Sequence, residues 1–534
     1  MKKKTWIISA LMYAMVFVAC IGVLHVLKTL TEPSVPQAFS TEESSEHGGD
    51  GKRETEEKRG MSDHLDTEWG ETGEIPATPS QAEKPQDGIR RQEGYREWKK
   101  EFPDLWEPEE AYQPPRLILA TDLHYQSASA GDGGKAFQLF VERCDGKVVQ
   151  YLPELLEAFL DEVIQEKPSA LILSGDITMN GERMNHEELA RRLKRVQEAG
   201  IQVLVIPGNH DINNTDAAVY LGDEKSPAPY IGAEDFYEIY HEYGYDQSVS
   251  RDTSSLSYVY ALDKKNWLLM LDSCQYEPEN KVEGRLGEST MEWVDEQLAK
   301  AKEQGILVIP VAHHNLLAQS RMYTTQCAME NNGEVIELLQ KYDLPLFFSG
   351  HLHVQRIRKH KSEPGVPDHS YGIQEIVTDA LSIPPCQYGQ ITWEEDGSIS
   401  YATRSVDVSA WAERNNSTNK DLLDFEGWSF RYIEKLISDQ IRGVVKNLGE
   451  DVEHSMAAAY AGVYIDYYAG RLIDAKGVRS TKGYRFWERN MPDSYLLKEL
   501  EAMIQDSDRD NNYFLLPESS YLELSETADG ISRL

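Results

Sequence analysis

The chain has 534 residues, too long for one compact core, and its 40% hydrophobic content is enough for packed domains, so wholesale disorder is excluded. Ninety acidic against 54 basic residues leave a formal charge of −36, which excludes coating a nucleic-acid backbone or an anionic lipid surface by charge alone. Five cysteines (Cys20, Cys144, Cys274, Cys327, Cys386) form no CxxC pair and no short framework, which argues against a zinc knuckle and a disulfide scaffold.

In chain order, three lysines precede Trp6 to Leu27, a run without Asp, Glu, Lys or Arg. That length is sufficient for a membrane-spanning helix, and the basic flank places the remainder of the chain outside the cytoplasm. The competing readings are a cleaved signal peptide, for which the run is long and lacks an AxA-like site, and a lipoprotein cleaved at Cys20, after which the sequence stays apolar instead of turning polar. Residues 31–94 are rich in Glu, Ser, Thr, Pro and Gly and read as a flexible acidic linker. The folded body begins near Tyr95.

Five apolar runs in that body end in a small residue and then present groups that bind metals or carry protons. They are LILATDLH (Leu117 to His124), LILSGDITMNG (Leu171 to Gly181), IQVLVIPGNHDINN (Ile201 to Asn214), ILVIPVAHHN (Ile306 to Asn315) and LPLFFSGHLH (Leu344 to His353). Between them lie helical patterns, including Val148 to Glu166, Thr290 to Glu303, Val335 to Tyr342 and Asn185 to Ala199, the last with Asn185 as its expected N-cap and His186 as a cap or surface residue. Strand and helix alternating in this way predict an α/β sheet, in which ligands gather outside the carboxyl ends of the strands. Asp122 and His124, two apart on expected extended backbone, should point the same way. GDGGKAF (Gly131 to Phe137) lacks the spacing of a phosphate-binding loop and is a candidate loop over the site. Ser257 to Leu262 and Trp267 to Leu271 read as a hairpin extending a second sheet. Beyond Asp407 the pattern becomes helical and aromatic (Leu422 to Val445, Val452 to Tyr468, Tyr495 to Gln505), with cleft covering or dimerisation as candidate roles.

Taken together, Asp122 and His124, Gly175 and Asp176, Gly208 to Asp211, His313 with His314, and Gly350, His351 and His353 resemble the signature of the calcineurin-like metallophosphoesterases. The surrounding sequence is similar to bacterial cyclic-nucleotide phosphodiesterases with an extra C-terminal domain. The resemblance implies a four-layer sandwich at 95–408, two mixed β-sheets flanked by helices, and then a small, mainly helical C-terminal domain at 409–534. It implies two metal ions, with Asp122, His124, Asp176 and His353 on the first and Asp176, Asn209, His313 and His351 on the second. Asp176 would be the anionic bridge, and His314 would support the ligands. His210 would stabilise charge or protonate the leaving oxygen, its ring oriented by Asp211.

Two dications about 3.5–4 Å apart clamp a phosphoryl group and lower the pKa of a water, which is the reason such chemistry wants these residues. Histidine, carboxylate and amide suit manganese, iron or zinc alike. Family members with a metal-bound tyrosine carry it three residues after the bridging aspartate; Met179 stands there, so the tyrosinate-ligated ferric form is not expected. The expected activity is hydrolysis of a small phosphorylated substrate, a phosphodiester by preference. The alternatives are a phosphomonoesterase or nucleotidase and, from another class, a non-catalytic surface module. Oligomeric state is not legible.

Overall fold

The computed structural model describes residues 114–360 and 372–520. The expected membrane-spanning segment, the acidic linker and the first part of the folded body therefore lie outside the described residues. Among those described, no helix is long and apolar enough to cross a membrane, and no disulfide forms.

The strands are β1 Arg116–Ala120, β2 Ala170–Ser174, β3 Gln202–Ile206, β4 Ala218–Leu221, β5 Glu224–Pro227, β6 Ser250–Arg251, β7 Tyr258–Ala261, β8 Asn266–Leu271, β9 Leu307–Ala312, β10 Leu346–Ser349, β11 Arg356–Lys359, β12 Gln374–Val377, β13 Gln387–Trp393, β14 Ile399–Ser405 and β15 Tyr513–Leu516. Two mixed sheets result. The first runs β15-β14-β13-β1-β2-β3 and the second β11-β12-β10-β9-β8-β7-β6, while β4 and β5 form a separate hairpin. Within the first sheet β1, β2 and β3 are parallel, and within the second β8, β9, β10 and β12 are parallel, so the carboxyl ends within each set share an edge.

Helices α1 Lys135–Val141, α2 Leu152–Glu166, α3 Arg183–Glu198, α4 Ala233–Tyr240, α5 Glu288–Glu303 and α6 Asn332–Lys341 accompany the strands. Strand alternation explains the layering. In β8, Leu268 and Met270 enter the core shared with the first sheet, whereas Leu269 and Leu271 pack with Val294 and Leu298 of α5 and Leu339 of α6. Ile309 and Val311 of β9 point inward and Val308 outward by the same rule. Phe159 of α2 and Leu193 of α3 join the core of the first sheet, so the order is helices, sheet, sheet, helices.

The expected hairpin is β7 and β8. The helical tail comprises α7 Val408–Arg414, α8 Lys420–Leu423, α9 Phe425–Val444, α10 Glu450–Tyr468, α11 Ala475–Ser480, α12 Lys482–Asn490 and α13 Tyr495–Asp506. It does not end as a helical unit. The chain returns as β15, which pairs antiparallel with β14 and adds an edge strand to the first sheet. The helices are thereby clipped to the α/β body at both ends.

The start of α3 differs from expectation. The helix begins at Arg183, with Glu182 as N-cap, and Asn185 and His186 are wholly buried in its first turn. Asn185 accepts from the Ser127 amide and donates to Gln126 and Glu182. His186 Nε2 donates to the Asp211 carbonyl (3.0 Å), and Nδ1 faces the Tyr240 hydroxyl (3.0 Å), so the neutral ring is satisfied on both sides. Burial drives its pKa down to about 3. The unfolded chain takes up this proton below about pH 6.5 and the folded chain does not, so stability falls on acidification from there. We expect the destabilisation caused by His186→Gln to shrink by about 2 kcal/mol between pH 7.5 and pH 5. Urea unfolding at the two pH values checks this, and an equal penalty at both would contradict it.

Candidate metal centre

Each parallel strand delivers its polar groups through a sharp turn. Asp122, His124, Asp176, His351 and His353 all have positive φ, at 52°, 43°, 47°, 65° and 60°. The backbone at Asp122 and His124 is thus left-handed, not extended as expected, and each such residue costs about 1–3 kcal/mol. The turn is imposed from outside: the amides of Asp122 and His124 donate to the carbonyls of Gly175 (3.0 Å) and Asp176 (2.9 Å), which carries the β1–β2 pairing past the strand ends. Two glycines are required by close approach. A Cβ on Gly208 would stand 2.1 Å from the Asp176 amide nitrogen, and one on Gly175, at φ 98°, would stand 2.5 Å from the His313 ring.

These turns bring the seven expected ligand residues to one rim. Asp122, His124, Asp176 and His353 present ligand atoms within 4.8 Å of one another, and so do His313, His351 and His314. Between the two groups lies Asp176, whose Oδ2 is 3.8 Å from His124 Nε2 and 3.4 Å from His313 Nε2. Its Oδ1 accepts the His210 amide at 2.8 Å, which fixes the carboxylate plane. Asn209 Oδ1 lies 3.2 Å from His313 Nε2, putting the amide oxygen on the second side.

For His313 and His351, hydrogen bonds on the far side of the ring settle which nitrogen faces inward. Backbone carbonyls can only accept, so His313 donates through Nδ1 to Ser174 (3.0 Å) and turns the Nε2 lone pair inward. His351 donates through Nε2 to the Gln326 carbonyl (2.8 Å), which leaves Nδ1 as its ligand atom. His314 has both nitrogens engaged, Nδ1 with Ser273 Oγ (2.8 Å) and Nε2 with the Val282 carbonyl (2.9 Å). Proximity groups it with the second cluster, but its lone pair is committed, in line with a supporting part.

Two observations test whether the residues fit cations. Asp122 Oδ1 is buried without a hydrogen bond although His353 Nε2 stands 3.1 Å away, and His124 Nε2 and His353 Nε2 face each other at 3.1 Å. A buried carboxylate oxygen with no hydrogen bond, beside two imidazole nitrogens that have only each other, is what co-ligands of an ion show. Protonation agrees. Burial pushes the Asp176 carboxyl up, but the His313 and His210 imidazoles outweigh it and hold it well below the usual carboxylate range. Burial, reinforced by the Lys147 charge, holds His124 well below the usual imidazole range, and burial lowers His351 to about 4. His313 goes the other way: burial lowers it, but the Asp176 carboxylate outweighs burial and raises it to about 9, so a cation beside Asp176 would displace that proton. Ionised carboxylates with neutral His124 and His351 are the ligand forms, and the residues fit a pair of cations.

One expectation about the proton-handling pair is corrected. Asp211 does not reach the His210 ring. Its carboxylate accepts the amides of Ile177, Thr178 and Gly208 and the Thr178 hydroxyl, tying the two turns together. Residues consecutive at a turn point apart, and Asp211 faces back into the β2 loop. The ring is held instead by the Met179 carbonyl (2.8 Å) and Asn180 Oδ1 (3.0 Å), both on Nδ1, which turns Nε2 toward Asp176 Oδ2 at 3.9 Å.

The centre opens into a cavity of about 990 Å³. Asp176, Asn209, His210, His351 and His353 form its floor. Phe140 of α1 and Tyr220 of β4, stacked at 4.1 Å, form one wall with Arg143 and Lys147, so the GDGGKAF stretch leads into a helix that lines the cleft. Tyr323, Tyr468 and Tyr495 also line it, the last two from the C-terminal helices. Lys147 and Asn180 escaped the sequence reading. A lysine in GKVVQ reads as a surface residue, and no spacing marks Asn180; only the β2 turn places it on the His210 ring.

Residues 115–355 match the family model described as calcineurin-like phosphoesterase, and residues 407–510 match that described as the C-terminal domain of cyclic nucleotide phosphodiesterase. Among solved structures, the chain is similar to a dimetal phosphatase from Danio rerio at 15% identity, over 55% of this chain and 97% of that one, with a TM-score of 0.39. A purple acid phosphatase from yellow lupin (Lupinus luteus) is similar at 15% identity, over 55% of this chain and 52% of that one, with a TM-score of 0.36. A structure of PhoD is similar at 11% identity, over 56% and 67%, with a TM-score of 0.34. No curated protein matches the chain.

Proposed function

We propose that this chain, whose residues 115–355 match the calcineurin-like phosphoesterase model, hydrolyses a phosphodiester with two metal ions held by Asp122, His124, Asp176 and His353 on one side and by Asp176, Asn209, His313 and His351 on the other. The observation that carries this reading is the position of Asp176 Oδ2, within 4 Å of an inward-facing imidazole nitrogen from each cluster. Two cations bound at these groups would supply charge neutralisation on the phosphoryl oxygens and a water of lowered pKa.

The chain's own residues do the rest. His210 lies at the cleft floor with Nδ1–H held by the Met179 carbonyl, so Nε2 faces the substrate, and in the imidazolium form its N–H is the one that passes a proton to the departing oxygen, leaving the neutral Nδ1–H ring. Asp211 holds the β2 and β3 turns in register through its four hydrogen bonds and so positions Asp176 and His210 together. The cavity volume accommodates organic groups on both sides of a phosphorus atom, and the C-terminal match supports a diester over a monoester. Lys147 and Arg143 at the cleft add cationic side chains that suit an anionic ester. Metal identity is left open among manganese, iron and zinc by a donor set without thiolate. The run from Trp6 to Leu27 supports a catalytic body tethered outside the cytoplasm.

Rates on a monoester, an open diester and a cyclic diester of the same leaving group, with and without chelator, test the reading. We expect the diesters to be preferred by about tenfold or more, equivalent to about 1.4 kcal/mol in the barrier, and chelation to abolish every rate. Monoester preference would replace diesterase by phosphatase, and chelator-insensitive hydrolysis would remove the metal reading altogether.

A further inference from the structure

The segment 316–327 leaves β9 just after the ligand His313 and returns along the cleft, where Met322 to Cys327 line the cavity. Its base is pinned by the α/β body. Glu375 accepts the amides of Leu316 (2.7 Å) and Leu317 (2.6 Å), and the Asn315 amide donates to the Cys327 carbonyl (3.1 Å). Its middle is held by the C-terminal helices. Ser320 Oγ meets the Tyr467 hydroxyl at 2.7 Å, the Arg321 amide donates to Asp506 Oδ2 at 3.2 Å, and the hydroxyls of Tyr323 and Tyr468 are 2.7 Å apart.

The same three C-terminal residues grip the chain beyond His353. The Gln355 amide donates to the Tyr468 carbonyl (2.9 Å), the Arg356 guanidinium lies 4.5 Å over the Tyr467 ring, and Asp506 is 3.6 Å from Arg356 and 3.4 Å from Arg358. Arg356 and Asp506 are almost wholly buried, so this contact excludes solvent and is held in one geometry. At the tip of the gripped segment Gln326, in a left-handed conformation at φ 64°, presents the carbonyl that accepts His351 Nε2.

We infer that the C-terminal helical region is part of the catalytic apparatus: Tyr467, Tyr468 and Asp506 are positioning residues that hold segment 316–327 so that the Gln326 carbonyl sets the His351 ring for the second cation. This rests on the dimetal reading, since it assigns His351 a ligand atom. Outer partners that orient a ligating histidine are worth about 10–100-fold in metal affinity, and the contact here is one such partner reached through a second layer.

Tyr467→Phe removes one oxygen and keeps the ring beneath Arg356, and Tyr323→Phe removes the other tyrosine contact. In the full-length chain, metal content after dialysis and the manganese concentration giving half-maximal rate should separate the two ions. We expect each variant to keep one tightly held ion, to lose the second on dialysis and to need about tenfold more manganese for half its own maximal rate. If both variants retain two ions and the wild-type manganese requirement, the inference is overturned and the dimetal reading stands. If wild-type protein itself holds fewer than two ions at saturating manganese, the dimetal reading fails, and this inference falls with it.

Discussion

Replacing Asp176 by asparagine is expected to lower phosphoester turnover by at least about 10³-fold while leaving the fold intact. The substitution keeps shape and one oxygen. An amide satisfying the His210 amide nitrogen through Oδ1 must turn its NH₂ toward His124 and His313, where the carboxylate Oδ2 now stands 3.8 Å and 3.4 Å away. A donor then occupies the place of the anion that two cations would share, and their mutual repulsion is left uncompensated. Asp122 and Asp211 repel this charge in the buried site, but His313 and His210 attract it more strongly, so its removal costs the metal-free fold some stability. Thermal unfolding without metal should therefore come at a somewhat lower temperature than in the wild type, with the transition still cooperative. Steady-state kinetics at saturating manganese decide the matter: a variant with more than a tenth of wild-type turnover would show that Asp176 bridges nothing.

His210→Gln should act on chemistry alone. Its ring sits at the cavity floor with Nδ1 tied to the Met179 carbonyl and Asn180, and Nε2 is the only ring atom left to meet a substrate. Loss of a proton donor costs about 10²–10⁴-fold, and the cost depends on how much the leaving oxygen needs the proton. We expect a fall of that size in kcat for an alkyl ester, a much smaller one for a nitrophenyl ester, and no change in bound metal. Equal losses on both esters would reassign His210 to binding charge on the phosphoryl group. Metal loss would make it a ligand.

The site was legible where one local pattern repeats. Each of five buried strands ends in a small residue and then a ligand type, so the convergence of the five strand ends could be read without knowing any turn, and the resemblance to the calcineurin-like family singled out Asp122, His124, Asp176, Asn209, His313, His351 and His353 among them. The turns themselves were not legible. Extended backbone was expected at Asp122 and His124, and the left-handed φ values come from hydrogen bonds to Gly175 and Asp176, about fifty residues away along the chain. The same distance hid the partners of His210: adjacency in sequence suggested Asp211, whereas the β2 turn supplies Met179 and Asn180. Asn185 and His186 look like a cap and a surface residue because a helix start is usually wet, and here the Ser127 loop and α4 cover it.

The aromatic tail shows the limit of composition. Tyr464, Tyr467 and Tyr468 are all buried, as aromatic residues of a helical core are expected to be. Nothing in YIDYYAG shows that the Tyr468 hydroxyl is the one turned to Tyr323 at the edge of the cleft. The return of the chain as β15 was equally hidden, since four residues of YFLL carry no signal for which sheet edge they join.

The most direct test of the whole account is anomalous scattering from crystals of the manganese-loaded protein. Two peaks are predicted, one among Asp122, His124 and His353 and one among Asn209, His313 and His351, with Asp176 in contact with both and the peaks about 3.5–4 Å apart. A single peak, or two that do not share Asp176, would contradict it.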